Sequence, residues 1–226
     1  SMLIQSLKNT VLVTAVGTAI NMTLTIAAAY PLSKKKLKGR NFLLVFIIFT
    51  MLVNAGIIPN FIIVKQLGLI NSYWAIWLTG AISTYNMIVL KTFFQNIPES
   101  LEESASIDGC NDLGILFRIV LPLSGPALAT ISLFYAVGHW NSYFNILLYI
   151  TSSAKATLQV RLRDMINMSS MDSIKNAIMD SQDRQAVAEE SIKAASIVIA
   201  TVPILIVYPF LQRYFVKGVM IGSIKG

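Results

Sequence analysis

The sequence predicts an all-α fold, a polytopic bundle of membrane-spanning helices. Hydrophobic residues make up 55% of the 226 residues and charged residues only 13%, against roughly 45–50% and 25% in ordinary soluble domains. The mean hydropathy is +0.65. The charges are clustered and leave several uncharged stretches of about twenty residues, the length at which a helix crosses the hydrocarbon core. This composition excludes a soluble domain and a disordered chain.

Five uncharged stretches are long enough to be spans. The first is too long for the apolar part of a signal peptide and lacks a convincing cleavage site. The second contains Asn54, Gly56 and Pro59, so it is either one bent span or a helix followed by a re-entrant or interfacial piece. The predicted spans are residues 11–30, 41–64, 73–90, 119–150 and 194–211.

The cations predict the orientation of these spans. Five of the eight residues from Ser33 to Arg40 are Lys or Arg, and such clusters stay in the cytoplasm. Alternation then puts residues 91–118 and the C-terminus in the cytoplasm and an external segment, residues 151–193, outside. The N-terminus also falls outside, so we expect that a further span is missing before it. The net charge of +7 therefore reflects topology, and nucleic acid is not an expected partner.

The remaining composition limits the chemistry. The chain has one cysteine, Cys110, and one histidine, His139, so we expect no internal disulfide and no metal site built on them. The absence of a GxxxxGK[ST] loop predicts that any nucleotide is bound by another chain.

An acidic segment before the fourth span predicts a short helix outside the membrane. Pro98 suits a first helical turn, and Glu99 follows where the helix dipole favours negative charge. Gly109 can end the helix in a left-handed conformation, and Asn111 or Asp112 can cap the next one. This arm could transmit force from a soluble partner, or it could be an ordinary acidic interfacial loop.

The same segment resembles the EAA signature of ABC importer permeases, E-A-A-x3-G-x9-I-x-L-P. It reads Glu103-Ser104-Ala105, Gly109 and Ile119-Val120-Leu121-Pro122 at the same spacing, with a departure only at Ser104. The resemblance implies that residues 98–109 are the coupling helix, seated in a cleft of a cytosolic ABC ATPase. The residues that it assigns to ATPase coupling are Glu102, Glu103, Ser104, Ala105, Asp108, Gly109, Ile119, Leu121 and Pro122.

Further segments, residues 28–40, 71–75 and 217–226, are similar to the carbohydrate branch of these permeases. The chain resembles the smaller subunit of maltose-type importers and, within that branch, permeases for complex or acidic oligosaccharides. This resemblance implies a type I ABC importer transmembrane domain that lacks the first of six helices, in a bacterial inner membrane. The implied partners are a second homologous permease, an ATPase dimer that holds ATP and Mg²⁺, and an extracytoplasmic solute-binding protein. The chain itself would bind no cofactor and would not be an enzyme.

Aromatic and polar residues in the fourth span are candidates to line the solute path, since sugars are bound by aromatic faces and hydrogen-bonding groups. The spacing of His139 and Tyr143 predicts that they share one helix face. Alternatively these residues serve helix packing or the interfacial aromatic belt, and His139 is either a proton relay or a hydrogen bond between helices. The candidates are Asn54, Tyr135, His139, Trp140, Asn141, Tyr143 and Asn145.

Three features complete the predictions. Pro122 and Pro126 predict a kink near the start of the fourth span. Apolar residues at helical spacing from Leu158 to Ile166 predict an amphipathic helix in the external segment, which the resemblance implies contacts the binding protein. Two other functions stay open, import of a non-sugar solute such as a peptide or phosphate ester, and an intramembrane enzyme. The enzyme lacks support because the sequence has no HExxH, GxSxG or paired intramembrane carboxylates.

Overall fold

The fold was analysed in a computed structural model. It describes residues 2–53, 55–177, 191, 194–195, 197–199 and 201–205, and the regular structure in these ranges is helical. A π-helical turn, Leu116–Val120, lies between α7 and α8, and a 3₁₀ turn, Ser153–Lys155, precedes α11. The α-helices up to residue 177 are α1 Met2–Ser33, α2 Arg40–Leu52, α3 Ile57–Gln66, α4 Trp74–Thr79, α5 Thr84–Gln95, α6 Glu99–Ile107, α7 Asp112–Ile115, α8 Leu121–Leu123, α9 Gly125–Trp140, α10 Phe144–Tyr149 and α11 Leu158–Ala177.

Helix α1 is the central element, and it packs along both α5 and α9. It is longer at both ends than the predicted span of residues 11–30. One face carries a buried residue at every fourth position, and several of these are polar or small. A four-residue repeat places side chains on one side of an α-helix, so α1 presents a single seam to its neighbours. The seam consists of Val13, Gly17, Asn21, Thr25 and Ala29.

Two hydrophobic clusters lie along α1. The first joins the C-terminal half of α1 to α5, α6, the π-helical turn and α9, and includes Met87, Leu90 and Val120. The second joins the N-terminal half of α1 to α4, α10 and the chain up to Val160, and includes Ile146. Because α1 contributes to both, it connects the two halves of the described structure.

The spans are more broken than the uncharged stretches suggest. By length and hydropathy α1 alone could cross a membrane, and the described residues offer up to three spans if two bent helix pairs each count as one. These pairs are α2 with α3, and residues 112–123 with α9. In the predicted fifth span, residues 194–211, the described positions are helical. The count of five spans stays a prediction.

The predicted third span, residues 73–90, consists of two helices. Helix α4 ends at Thr79 and α5 begins at Thr84, so residues 80–83 interrupt it. The Ser83 hydroxyl caps α5 by accepting a hydrogen bond from the Asn86 amide at 3.4 Å. The break contains no proline; Gly80 ends α4, and side chains of α1 and α9 form hydrogen bonds with its backbone groups.

The predicted fourth span, residues 119–150, bends by 83° between Leu123 and Gly125. Pro122 has no N–H for the carbonyl of Arg118, and the chain forms a π-helical turn there, as helices do where the regular ladder fails. The Ser124 hydroxyl then donates to the Val120 carbonyl at 2.7 Å. The predicted kink is confirmed.

The external segment contains α11, whose start is fixed to α1. Leu158 and Leu162 are buried and Arg163 is exposed, which confirms the amphipathic helix at its start. Met165, predicted on the apolar face, is instead 40% exposed. The Thr10 hydroxyl accepts a hydrogen bond from the Leu158 amide at 2.8 Å. The Asn9 side-chain amide donates to two carbonyls of the preceding loop, at 2.8 and 3.0 Å. The beginning of α1 therefore holds the external segment in place.

Candidate functional site

The acidic segment folds as the sequence predicts. Helix α6 begins after Pro98, carries Glu99 and Glu102 in its first turn, and ends at Ile107. Gly109 has φ +84°, a left-handed conformation that other residues adopt only with strain. The Gly109 amide donates to the Ser106 carbonyl at 3.1 Å, and the Cys110 amide to the Ala105 carbonyl at 2.9 Å. This pair of hydrogen bonds is the Schellman motif.

A second cap follows at once. The Asn111 side chain accepts a hydrogen bond from the Gly114 amide at 2.8 Å, and α7 begins at Asp112. Gly109 and Asn111 thus set the angle between α6 and the helix that leads towards α9. The predicted stop and cap are both confirmed.

Ion pairs fasten α6 to the basic connection that follows α1. The Lys34 ammonium pairs with Glu102 and lies 4.4 Å from the centre of the Tyr30 ring. The Lys35 ammonium lies 3.0 Å from Glu99, and its hydrogen bond and charge lower the pKa of Glu99. The two predicted cytoplasmic segments therefore meet at one end of the bundle. We call the contacts of Lys34 and Lys35 with α6 the basic brace.

Two further hydrogen bonds support the basic brace. The Tyr30 hydroxyl donates to the Asp112 carbonyl at 3.0 Å, just beyond the turn at Gly109. The Gln95 side-chain amide donates to the Ser33 carbonyl at 3.2 Å. The end of α1 thus contacts the segment both before and after α6.

A groove of about 820 Å³ lies between α6 and the basic connection. Lys34, Lys36 and Glu102 line it, together with Glu103 and Ile107. Ile107 is 87% exposed, and Glu103 is exposed as well. An exposed apolar side chain beside exposed charges is typical of a surface that another protein covers.

The predicted coupling residues divide into two groups. Ala105 is buried against the first cluster, and Glu102 is committed to Lys34. Ser104 is exposed, and its hydroxyl donates to the Ser100 carbonyl at 2.9 Å, so the departure from the signature leaves no hydroxyl unpaired. The remaining exposed positions are Glu103, Asp108, Gly109 and Pro122, while Ile119 and Leu121 are half-buried.

The substrate-path candidates lie in three places. Tyr135 and His139 face α1 and the break at residues 80–83 through hydrogen bonds. Asn141 and Asn145 are exposed, Trp140 is half-buried, and Tyr143 packs against the second cluster. Asn54 lies outside the described residues. A role of these residues in solute binding stays a prediction.

The predicted shared face of His139 and Tyr143 is wrong. Helix α9 ends at Trp140 and α10 begins at Phe144, so a turn separates the two residues. The Asn141 side chain donates to the Val137 carbonyl at 3.0 Å, and the Ser142 amide donates to the His139 carbonyl at 3.1 Å. Asparagine competes for backbone groups in this way at helix ends.

Three residues that contribute key contacts in the structure were not predicted from the sequence. Lys34 served only as an orientation signal, yet it pairs with α6. Gly17 and Asn21 lie in an uncharged span, and both contact His139. A signal for the second pair exists, because Gly17, Asn21 and Thr25 recur every four residues, and polar groups within a span usually face protein.

The described residues offer no metal site, since no three of their His, Cys, Asp and Glu side chains come together to hold an ion. The exposed half of α6 and the groove beside it are the candidate functional surface of the described residues. Comparison with known proteins identifies the kind of protein that carries it. The family described as the inner membrane component of binding-protein-dependent transport systems matches residues 21–221. The chain belongs to this family.

Individual relatives agree with this assignment. The polygalacturonan/rhamnogalacturonan transport system permease protein YtcP of Bacillus subtilis (strain 168) is 53% identical over 222 residues, which are 98% of this chain and 77% of that protein. Protein LplC of the same organism is 49% identical over 223 residues, 99% of this chain and 75% of that protein. A crystal structure of a bacterial ABC transporter involved in the import of the acidic polysaccharide alginate is also similar, with a TM-score of 0.82 and 33% sequence identity. The match covers 95% of this chain and 76% of the chain in that structure.

These findings establish the general function. The chain is a permease subunit of an ABC importer and a component of the inner membrane, and it has the type I ABC permease fold. It is a transport protein and not an enzyme, because ATP hydrolysis in this family belongs to a separate ATPase.

Proposed function

We propose that this permease subunit imports acidic oligosaccharides, of the kind released from uronic-acid polymers. The observation that carries the proposal is the 53% identity to a permease named for polygalacturonan and rhamnogalacturonan. The likeness to an importer of the acidic polysaccharide alginate supports it, because the two named solute classes share carboxylated sugars.

The sequence limits how such a solute could be recognised in the membrane. None of the five predicted spans contains a Lys or Arg, so this chain offers the carboxylates no cation there. Neutral donors and aromatic faces near the end of the fourth span, from Trp140 to Asn145, would contact the sugar rings. Selection for acidic charge would fall on the binding protein or the second permease.

The coupling mechanism follows from the cytoplasmic end. We infer that the exposed face of α6, with Glu103, Ile107 and Asp108, docks on an ATPase subunit, and that the C-terminus also lies in the cytoplasm. ATP and Mg²⁺ would bind to the ATPase pair and not to this chain. When the ATPases close on ATP, they would displace α6, and the basic brace would pass that displacement to α1. A homologous second permease would complete the path.

An uptake experiment tests the solute class. The complete importer, with the second permease, the ATPase pair and the binding protein, is reconstituted in liposomes and supplied with labelled trigalacturonate. We expect uptake that requires ATP and is competed by unlabelled trigalacturonate but not by maltotriose. Gly109→Arg is the matched control, since it should insert normally and fail to couple ATP hydrolysis to uptake. Equal competition by maltotriose, or uptake of a peptide or phosphate ester alone, would contradict the proposal.

A further inference from the structure

The break at residues 80–83 lies where an unwound chain is costly. A peptide group that lacks a partner in a membrane costs several kcal/mol, so breaks persist only where neighbouring helices satisfy the freed groups. The break also separates the two hydrophobic clusters, since α5 contributes Met87 and Leu90 to the first and α4 contributes Ala75 and Ile76 to the second. It is therefore the junction between two differently packed halves of the chain.

Helix α1 supplies hydrogen-bond donors to the backbone on the α4 side of the break. The Asn21 side-chain amide donates to the Gly80 carbonyl at 2.6 Å and to the Ala81 carbonyl at 2.7 Å. Asn21 has no exposed surface, so both hydrogens of its amide are used within the protein. A leucine or valine at this position would leave the two carbonyls without these donors.

Helix α9 supplies a hydrogen-bond acceptor to the backbone on the α5 side of the break. The Tyr135 hydroxyl accepts a hydrogen bond from the Ser83 amide at 2.9 Å. It also shares a hydrogen bond of 2.7 Å with the Thr25 hydroxyl, one helical turn along α1 from Asn21. The same tyrosine thus connects α9, α1 and the start of α5.

His139 fixes the orientation of the Asn21 amide. Its Nε2 lies 2.5 Å from Asn21 Oδ1. Because the nitrogen of the Asn21 amide donates to two carbonyls, the oxygen is the acceptor, and Nε2 of His139 carries the hydrogen. Gly17 makes this contact possible, since a Cβ atom there would lie 2.6 Å from Nε2. Asn21, Thr25, Tyr135 and His139 form a polar clasp around the break.

We propose that the polar clasp is a positioning device for transport, which holds the break as a preformed joint between α4 and α5. The inference rests on the proposed coupling mechanism, in which displacement of α6 reaches the bundle. Helix α5 leads directly into α6, whereas α4 packs with α10 in the second cluster. The joint allows the two halves to change their relative angle without exposing unpaired peptide groups to lipid. Tyr135 and His139 therefore act on the break and not on the solute.

The experiment measures the break and the coupling in the same sample. The complete importer is placed in lipid nanodiscs with Tyr135→Phe, Thr25→Val or Asn21→Leu in this chain. Thr23→Val is the matched control, because the Thr23 hydroxyl donates within α1 to the Ala19 carbonyl. Hydrogen–deuterium exchange follows the amides of residues 80–86, and ATPase rates are recorded with and without the binding protein and trigalacturonate.

We expect exchange across the break to accelerate in Tyr135→Phe and Asn21→Leu by roughly threefold to tenfold, the range of one lost hydrogen bond. The stimulation of ATPase by the loaded binding protein should fall by roughly threefold or more, because coupling free energies between sites are themselves small. Thr25→Val should show the same changes more weakly, and Thr23→Val should match the wild type. If Asn21→Leu does not assemble, the two hydroxyl variants, which keep side-chain shape, decide the outcome.

Three results would overturn the inference. Unchanged exchange would show that the clasp does not hold the break, and faster exchange with normal stimulation would show that the joint has no part in coupling. A raised KM for uptake with unchanged exchange would make Tyr135 a solute ligand. A wild-type importer without stimulation by the binding protein contradicts the proposed function instead, and the exchange data still decide whether the clasp holds the break.

Discussion

Gly17→Ala tests how closely α1 and α9 must approach. The added Cβ would lie 2.6, 2.7 and 2.8 Å from three atoms of the His139 ring, about 1 Å inside ordinary carbon contact distances. Moving the ring by about 1 Å would stretch its 2.5 Å contact with Asn21 to the limit of hydrogen bonding. The overlap costs about 1–3 kcal/mol, and the better helix propensity of alanine returns about 1 kcal/mol of that.

The assay is thermal stability of the purified complex, followed by the monodisperse fraction that survives heating. Gly138→Ala is the matched control, since Gly138 lies in α9 and a Cβ there meets nothing within 4 Å. The net steric cost is about 0–2 kcal/mol and the weakened His139–Asn21 hydrogen bond adds about 1 kcal/mol, so we expect Gly17→Ala to lower the free energy of unfolding by about 1–3 kcal/mol. Gly138→Ala should leave it unchanged or slightly raised.

A double variant distinguishes steric overlap from other causes. Removing the ring in Gly17→Ala/His139→Ala relieves the overlap. The stability loss of the double variant should therefore be smaller than the sum of the two single losses by about 1 kcal/mol or more. Equal stability of Gly17→Ala and Gly138→Ala, or strict additivity in the double variant, would refute this account of the interface.

Three further predictions concern the end of the bundle that carries α6. Glu102→Lys should lower stimulated ATPase, and Lys34→Glu/Glu102→Lys should restore most of it, because the partly exposed pair contributes about 1 kcal/mol; no restoration would mean that the pair is not formed. Gly109→Ala should cost about 1 kcal/mol of stability and Gly109→Asn less, since asparagine tolerates positive φ; equal melting temperatures would contradict this. Asn111→Ala should lower stability by about 1 kcal/mol through the lost cap, and Asn111→Ser should recover it; thermal denaturation measures both.

Local features of this chain could be predicted because their causes are local. Pro98, Gly109 and Asn111 each act within a few residues, and the structure confirms the helix start, the left-handed stop and the cap. The kink at Pro122 follows from one missing N–H. The contact of α6 with an ATPase stays a prediction, because it depends on another protein.

The break at residues 80–83 has local signals, Gly80 at the end of α4 and the Ser83 cap of α5, but the groups that stabilise it within the bundle are distant in sequence. The groups that stabilise it, Asn21 and Tyr135, come from 52 to 60 residues away. The end of α9 at Trp140 was missed for a different reason. The uncharged stretch continues past it without proline or glycine, and the side-chain amide of Asn141 competes locally for the backbone in a way that hydropathy does not register.

Helix α1 links the segment that precedes α11 to α6 through a single helix. Its 32 residues span about 48 Å. Asn9 and Thr10, in its first third, hold the segment that precedes α11 and the start of α11, and Lys34, just after its last residue, pairs with α6. A helix keeps its length when it tilts, so tilting about its middle moves its two ends in opposite directions. Tilting of this one helix would therefore move α6 and the segment that precedes α11 together, without a relay of intermediate side chains.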